Sequence, residues 1–321
     1  MTSPPFAVPA VALTLLACAC SAGERPAPEG TPDAGSAAAA AAPLVPKVLL
    51  IGIDGVRPDV LAEVPTPSVD SLVATGSYTA HARTGLPSVS GPSWSSMLTG
   101  VWPEKHGVVD NDFTGKRYDL YPDFLTRIER IRPELATFAV VDWKPLGTAE
   151  DGMPTIGDGI DVKHVLDGYE VGWAEGDERS VALAVEHLAS ADPDALFVYL
   201  GNPDEVSHEH ESIGLEYRDA IALADAHVGR LVAALRARTT YAQEDWLILV
   251  STDHGRTSAG GHGGDTPEER AIFFLASGRA AVVGTPSDSV RIVDVPVTAL
   301  AHLGIPADPA WGLDGRVVGI R

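Results

Sequence analysis

The run KVLLIGID at 47–54 limits the fold more than any other stretch of the chain. It shows no polar alternation, so a strand made from it carries apolar side chains on both faces and must be covered on both. Four further runs of strand length share this character: ATFAVVD at 136–142, DALFVYLG at 194–201, WLILVST at 246–252 and AIFFLA at 271–276. Helical patterns separate them, at 58–64, 67–74, 122–130, 180–189 and 215–238. In the last of these, Ala222, Ala226, Val228, Leu231 and Leu235 fall near one stripe. VDVPVTALAHL at 293–303 is expected to begin extended before Pro296 and to continue as a helix. Buried strands alternating with helices predict an α/β fold, an open and largely parallel central sheet with helices on both faces. With 321 residues, 45% of them hydrophobic, the chain has ample material for such a core.

Ligands of such sheets sit beyond the C-terminal strand edge. Three of the runs deliver acids there: Asp54, Asp204 just after Asn202-Pro203, and Asp253 followed by His254. An Asp after a strand is ordinarily a turn or cap residue. Here His208 follows Asp204 by four residues, and His262 sits in a Gly-rich loop after His254. Imidazoles and carboxylates in this number suit borderline cations such as Zn²⁺, and two such ions can clamp the attacking and leaving oxygens of a phosphoryl displacement. The chain's two cysteines, Cys18 and Cys20, both lie near the N-terminus, so a metal in the folded part has only His, Asp and Glu to hold it. The net charge of -21 argues against a stably bound nucleic-acid scaffold, though not against a phosphate substrate neutralised by metal.

The segment PSVSGPSWSSMLTGVWPEKHG at 87–107 supplies a hydroxyl. Pro92 suits the first position of a helix, which would leave Ser90 and Gly91 just ahead of it, where free N–H groups attract anions. A Ser in that place is a capping residue far more often than a nucleophile. The carboxylates and histidines elsewhere make the second role worth testing.

These motifs resemble the alkaline phosphatase superfamily, and within it the type I nucleotide pyrophosphatase/phosphodiesterase branch. The resemblance is carried by IGIDG at 51–55, PSVSGPSWSSMLTGVWPEKHGVVDN at 87–111, PDEVSH at 203–208, STDHG at 251–255, GGHGG at 260–264 and LDGRVV at 313–318. It implies an alkaline phosphatase-like domain over 47–321 and a two-metal phosphohydrolase working through a covalent seryl-phosphate at Ser90. It implies two divalent ions, with Zn²⁺ the leading identity: one on Asp54, Ser90, Asp253 and His254, the other on Asp204, His208 and His262. His210 is the rival to His208 as a ligand. The position after the nucleophile, often aromatic in nucleotide-cleaving members, is Gly91 here. The position three after it, often Asn, is Ser93, whose hydroxyl is expected to contact a phosphate oxygen. Asp265 is a candidate to orient His262, Trp94, Trp143 and Lys144 are candidates for the cleft, and His106 is expected to pack beneath the nucleophile helix.

The expected substrate is a small phosphate ester, with a diester favoured because a monoesterase usually adds a cationic group at the phosphate and the motifs show no obvious Arg or Lys for it, Lys144 being the one candidate. A phosphomonoesterase or a phosphonate hydrolase keeps the same metals, a sulfatase lacks its Arg, and a surface binding protein that retains the fold without activity would show lost ligands. Residues 1–20 read as a signal peptide, with LLAC at 15–18 resembling a lipobox and Cys20 a second candidate for lipidation. Met1 to Phe6 lacks the usual Lys or Arg. The Ala/Pro-rich stretch 21–46 reads as a flexible tether, so the protein is expected to be exported and held at a membrane through a lipid.

Overall fold

The computed structural model describes residues 43–287 and 289–321. The signal segment, Cys18, Cys20 and most of the 21–46 tether lie outside the described residues. The elements run β1 (Val45–Ile53), α1 (Pro58–Leu61), α2 (Pro67–Val73), β2 (Ser77–Arg83), α3 (Ser90–Thr99), α4 (Pro103–His106), α5 (Phe124–Ile131), β3 (Thr137–Val141), α6 (Lys144–Gly147) and β4 (Val162–Val165). They continue with α7 (Gly168–Val171), α8 (Trp173–Ser190), β5 (Ala195–Leu200), α9 (Asn202–His210), α10 (Leu215–Arg236), β6 (Glu244–Ser251), β7 (Ala271–Ser277) and α11 (Asp294–His302).

The seven strands form one sheet in the order β2-β7-β6-β1-β5-β3-β4. β1 pairs in parallel with β5 on one side and β6 on the other, in register Leu50↔Phe197 and Leu50↔Leu249. β3 and β4 extend the parallel part, while β7 and β2 close the other edge antiparallel to their neighbours. The unbroken apolarity of β1 is explained by its two faces. Val48 and Leu50 pack into one core with Trp94, Met97, Leu125 and Leu300, under α3, α5 and α11. Leu49, Ile51 and Ile53 pack into the other with Leu72, Val181, Ile221 and Leu231, under α2, α8 and α10.

Several sequence expectations need correction. β1 begins at Val45, two residues inside the expected tether, because Val45 and Pro46 pair with Glu244 and Asp245. The last helix takes in Asp294 and Val295 rather than starting after an extended stretch, since Pro296 falls at its third position, where no N–H partner is needed. The α8 helix starts seven residues earlier than expected, at Trp173. On α10, Ala226 faces solvent and Ala224 takes its place in the buried stripe. Among the described residues no helix is long and apolar enough to cross a membrane.

Candidate active site

Three adjacent central strands, β5, β1 and β6, end side by side and hand on the acids. Asp54 directly follows β1, and its N–H bonds the carbonyl of Leu200 at the end of β5 (2.9 Å). Asp204 sits in the first turn of α9, which starts as β5 ends. Asp253 and His254 follow β6 by one residue. Gly55 turns the chain at φ 65° and donates its N–H to Asp253 Oδ1 (3.1 Å), which ties the β1 and β6 ends together. A side chain at Gly55 would run into Asp204 Oδ1, so glycine is required both by the turn and by that approach.

His254 Nε2 is the hub. It lies 3.2 Å from Ser90 Oγ, 3.3 Å from Asp253 Oδ2, 3.5 Å from Asp54 Oδ1 and 4.0 Å from Asp204 Oδ1. The His262 ring stacks on His254 with centroids 3.8 Å apart, and His262 Nε2 lies 2.9 Å from His208 Nε2 and 3.8 Å from Asp204 Oδ1. His208 Nε2 is 3.2 Å from Asp204 Oδ2. The Nδ1 atoms of His254 and His262 face the carbonyls of Gly255 (2.9 Å) and Ser88 (3.0 Å). In the tautomer these carbonyls select, Nδ1 donates and the Nε2 lone pair points into the cluster. Asp54 Oδ2 accepts from Tyr199 Oη (2.7 Å) and Trp94 Nε1 (2.9 Å), leaving Oδ1 free.

The charge balance is strained without a cation. Burial, then the charge of Asp204, pushes the Asp54 carboxyl up to about 7. Burial, then Asp54 and Asp204, holds Asp253 well above the usual carboxylate range. Burial also pushes His254 and His262 down, toward the neutral form a metal needs. Asp204 differs: burial works to raise it, but the Arg256 guanidinium on its Oδ1 and the bond from His208 outweigh burial, and its carboxyl sits well below the usual range.

Two buried carboxylate oxygens, Asp54 Oδ1 and Asp253 Oδ2, have no hydrogen-bond partner. A buried anion left so is costly unless something neutralises it. Both oxygens face His254 Nε2. Two triads have ligand atoms within 4.8 Å of one another, Asp54–Asp253–His254 and Asp204–His254–His262. A set made of imidazole nitrogen and carboxylate oxygen, with no sulfur, fits Zn²⁺ and similar divalent ions. A cavity of about 210 Å³ lies over the cluster, walled by Ser90, Asn111, Trp143, Tyr169 and Tyr199 with Asp54, Asp204, Glu205, His208 and His262. Asn111 and Tyr169 also line a larger cleft of about 870 Å³ that includes Phe113, Lys116, Tyr118 and Lys144.

The structure brings together Asp54, Ser90, Asp204, His208, Asp253, His254 and His262. It does not bring Ser93 to them. The helix begins at Ser90 itself rather than at Pro92, so Ser93 turns inward, where its hydroxyl accepts from Thr84 Oγ1 (3.1 Å) with 2% of the residue exposed. The amide placed at the cavity is Asn111: its Oδ1 accepts from Gly91 N–H (2.7 Å), which leaves its NH₂ for a ligand. Asp265 does not orient His262; it pairs with Arg270, and the Ser88 carbonyl has the orienting role. His106 packs under α3 as expected, bonded to Ser96 Oγ (3.0 Å), and burial pushes it down to about 3. Trp94 is both core and site, fully buried and bonded to Asp54. Trp143 reaches the cavity wall, while Lys144 lines the larger cleft, 3.6 Å from Asp167. Sequence reasoning passed over Asn111, Tyr199 and Arg256; only for Asn111, at the end of the motif at 87–111, was there a local signal.

Residues 48–135 and 158–269 match the family described as type I phosphodiesterase / nucleotide pyrophosphatase. The chain belongs to that family. It is 28% identical over 224 residues to human ectonucleotide pyrophosphatase/phosphodiesterase family member 1, covering 65% of this chain and 23% of the relative. To the rat family member 7 it is 23% identical over 247 residues, covering 69% of this chain and 52% of the relative. The chain thus spans between about a quarter and a half of the length of these curated relatives. Among solved structures, murine ectonucleotide pyrophosphatase/phosphodiesterase 5 superposes with a TM-score of 0.64 at 17% identity, over 82% of this chain and 96% of that one. A phosphonate monoester hydrolase of Agrobacterium radiobacter also gives 0.64, at 16% identity, over 85% of this chain and 76% of that one. The type I phosphodiesterase family and these neighbours share the alkaline phosphatase-like α/β fold expected from the sequence.

Proposed function

We propose that this chain is a two-metal phosphoric ester hydrolase that prefers diesters and works through a covalent phosphate on Ser90. The observation that carries this reading is the placing of Ser90 Oγ 3.2 Å from His254 Nε2, beside two buried carboxylate oxygens without partners. Asp54, Ser90, Asp253 and His254 would hold one divalent ion, and Asp204, His208 and His262 the other, with Zn²⁺ the leading identity. Such ions, when bound, favour the deprotonated form of a nearby hydroxyl or water and neutralise phosphoryl charge.

The chain's own residues do the rest. Ser90 Oγ attacks phosphorus, the Oγ–P bond forms and the bond to the leaving oxygen breaks. Water then cleaves the Oγ–P bond and restores the serine. The Asn111 NH₂ holds a phosphoryl oxygen, since its own carbonyl is engaged by Gly91 N–H. Trp94 and Tyr199 fix the Asp54 carboxylate, and the Ser88 carbonyl fixes the His262 ring. A diester is favoured because the cationic side chain offered for a monoester dianion, Lys144, lines the outer cleft beside Asp167 rather than the metal cavity. The 870 Å³ cleft is roomy enough for the organic group of the ester.

The protein acts outside the cytoplasm in this reading, exported by residues 1–20 and held by a lipid on Cys18 or Cys20. The expected result is hydrolysis of bis-p-nitrophenyl phosphate faster than of p-nitrophenyl phosphate, abolished by EDTA and by Ser90→Ala. Activity that survives both treatments would overturn the mechanism, and a faster monoester would overturn the diester preference.

A further inference from the structure

Arg256 is a fully buried arginine that no motif explains. It stands two residues after His254, and its guanidinium reaches three other segments that carry candidate metal residues, those of Asp54, Asp204 and His262. Nε donates to the carbonyl of Gly55, the neighbour of Asp54 (2.9 Å). Nη1 donates to the carbonyl of Gly260, two residues before His262 (2.9 Å), and to the backbone carbonyl of Asp204 (3.3 Å). Nη2 pairs with Asp204 Oδ1. The Tyr217 ring lies 5.3 Å from the guanidinium carbon, and the Tyr217 hydroxyl donates to the same Gly55 carbonyl (2.7 Å). The fork is held on the cluster's inner side, away from the cavity that Arg256 does not line.

Two facts set this pair apart from an ordinary ion pair. Asp204 is itself only 6% exposed, so water does little to stabilise its charge. Its other oxygen, Oδ2, faces His208 Nε2 at 3.2 Å and so remains directed toward the site. Oδ1, the oxygen that Arg256 holds, is also the one that faces His262 Nε2 (3.8 Å) and His254 Nε2 (4.0 Å), so the guanidinium supplies positive charge where a bound ion would also supply it.

We propose that Arg256 is a positioning residue that acts as the resident counter-charge of the site: it balances the Asp204 carboxylate and keeps it aimed, and it keeps its own segment joined to those of Asp54, Asp204 and His262, while metal is absent. This rests on the two-metal reading above. Once a divalent ion is bound beside Asp204, the carboxylate has a second source of positive charge and depends less on Arg256. The arginine is thus needed most in the empty protein. A plain structural staple would matter equally in both states, which gives the test its discrimination.

The experiment compares the melting temperatures of wild type, Arg256→Met and Arg256→Lys, each stripped with EDTA and each saturated with Zn²⁺. Removing one partner of a buried pair in a domain of this size is expected to lower the Tm of stripped Arg256→Met by about 6–15 °C. In the Zn²⁺-saturated protein the fall should be less than about half as large, so the Zn²⁺-induced gain in Tm widens over that of wild type. Arg256→Lys keeps the charge but cannot span Gly55, Gly260 and Asp204 together, so its stripped form should fall less than that of Arg256→Met. If Arg256→Met yields no folded protein, the lysine variant carries the comparison, with the same widening expected at smaller size. Equal falls in the stripped and saturated proteins, or no fall in either, would overturn the proposal. A wild type whose Tm ignores Zn²⁺ would overturn the two-metal reading, and this one with it.

Discussion

Asp142→Asn should change how the stability of this protein depends on pH. Asp142 follows β3 and Asp177 lies on α8; neither is more than 1% exposed. Both oxygens of Asp142 and Oδ2 of Asp177 lack hydrogen-bond partners, while Asp177 Oδ1 accepts the N–H groups of Gly201 (2.8 Å) and Asn202 (3.4 Å), where α9 begins. Burial, then the charge of Asp177, raises Asp142 well above the ordinary carboxylate range, and burial raises Asp177 to about 7. The unfolded chain releases these protons near pH 4. Between about 4 and 7 the folded state therefore binds more protons than the unfolded one, and stability falls as pH rises. For Asp177 the stabilising contribution is complete below pH 4, gone above about 7 and amounts to about 4 kcal/mol, and Asp142 loses its contribution in the same direction as pH rises. The amide that replaces Asp142 cannot ionise, and its NH₂ can donate to the orphan Asp177 oxygen. The variant should match wild type within about 1 kcal/mol at pH 5 and exceed it by roughly 2–4 kcal/mol at pH 8, or about 5–12 °C in Tm. Asp54, also raised to about 7, is present in both proteins, and its charge is a minor influence on Asp142 beside burial and Asp177, so most of its own pH effect cancels. Thermal unfolding at fixed metal content from pH 5 to 8 measures this, and parallel pH curves would refute the reasoning.

Three variants probe the candidate active site. Asn111→Ala should lower kcat/KM for bis-p-nitrophenyl phosphate about 100-fold with metal content unchanged, read by steady-state kinetics and metal analysis; Gly91→Ala should do much of the same damage indirectly, because its new methyl would stand 2.5 Å from the Asp110 carbonyl and 3.0 Å from Asn111 Oδ1. Trp94→Phe removes one of the two donors to Asp54 Oδ2 and should weaken Zn²⁺ binding about 10-fold in a competition titration, while Ser90 stays in place.

The sheet was legible where its strands are central. β1, β3, β5, β6 and β7 are buried almost throughout, so each appears as an apolar run. β2 and β4 escaped notice because they are edges. β2 mixes buried with exposed positions as SYTAHAR, and the four residues of β4 are only half-buried, so neither needed an apolar signature. The acidic opening of α8, WAEGDER, hid its first turns for a similar reason: only Gly176 and Asp177 among those residues are buried.

The candidate metal residues were legible because their positions are local facts: an acid or imidazole at the end of a buried strand, or four residues along a helix, can be counted along the chain. Ser93 misled because two residues of helix start decide which way a side chain turns, and an isolated Pro did not settle that start. What no count along the chain could supply is how separate segments meet. Asn111 takes its role from the Gly91 N–H it engages, and Tyr199 from reaching across to Asp54. Arg256 takes its role from acceptors at Gly55, Asp204 and Gly260, which converge only when β1, β5 and β6 end together. The sequence by itself determined which chemical groups stand at the sheet edge, because burial patterns are written residue by residue. Only the tertiary structure decided which of their atoms are already satisfied and which remain free to hold a cation, because hydrogen bonds between distant segments are made by the fold as a whole.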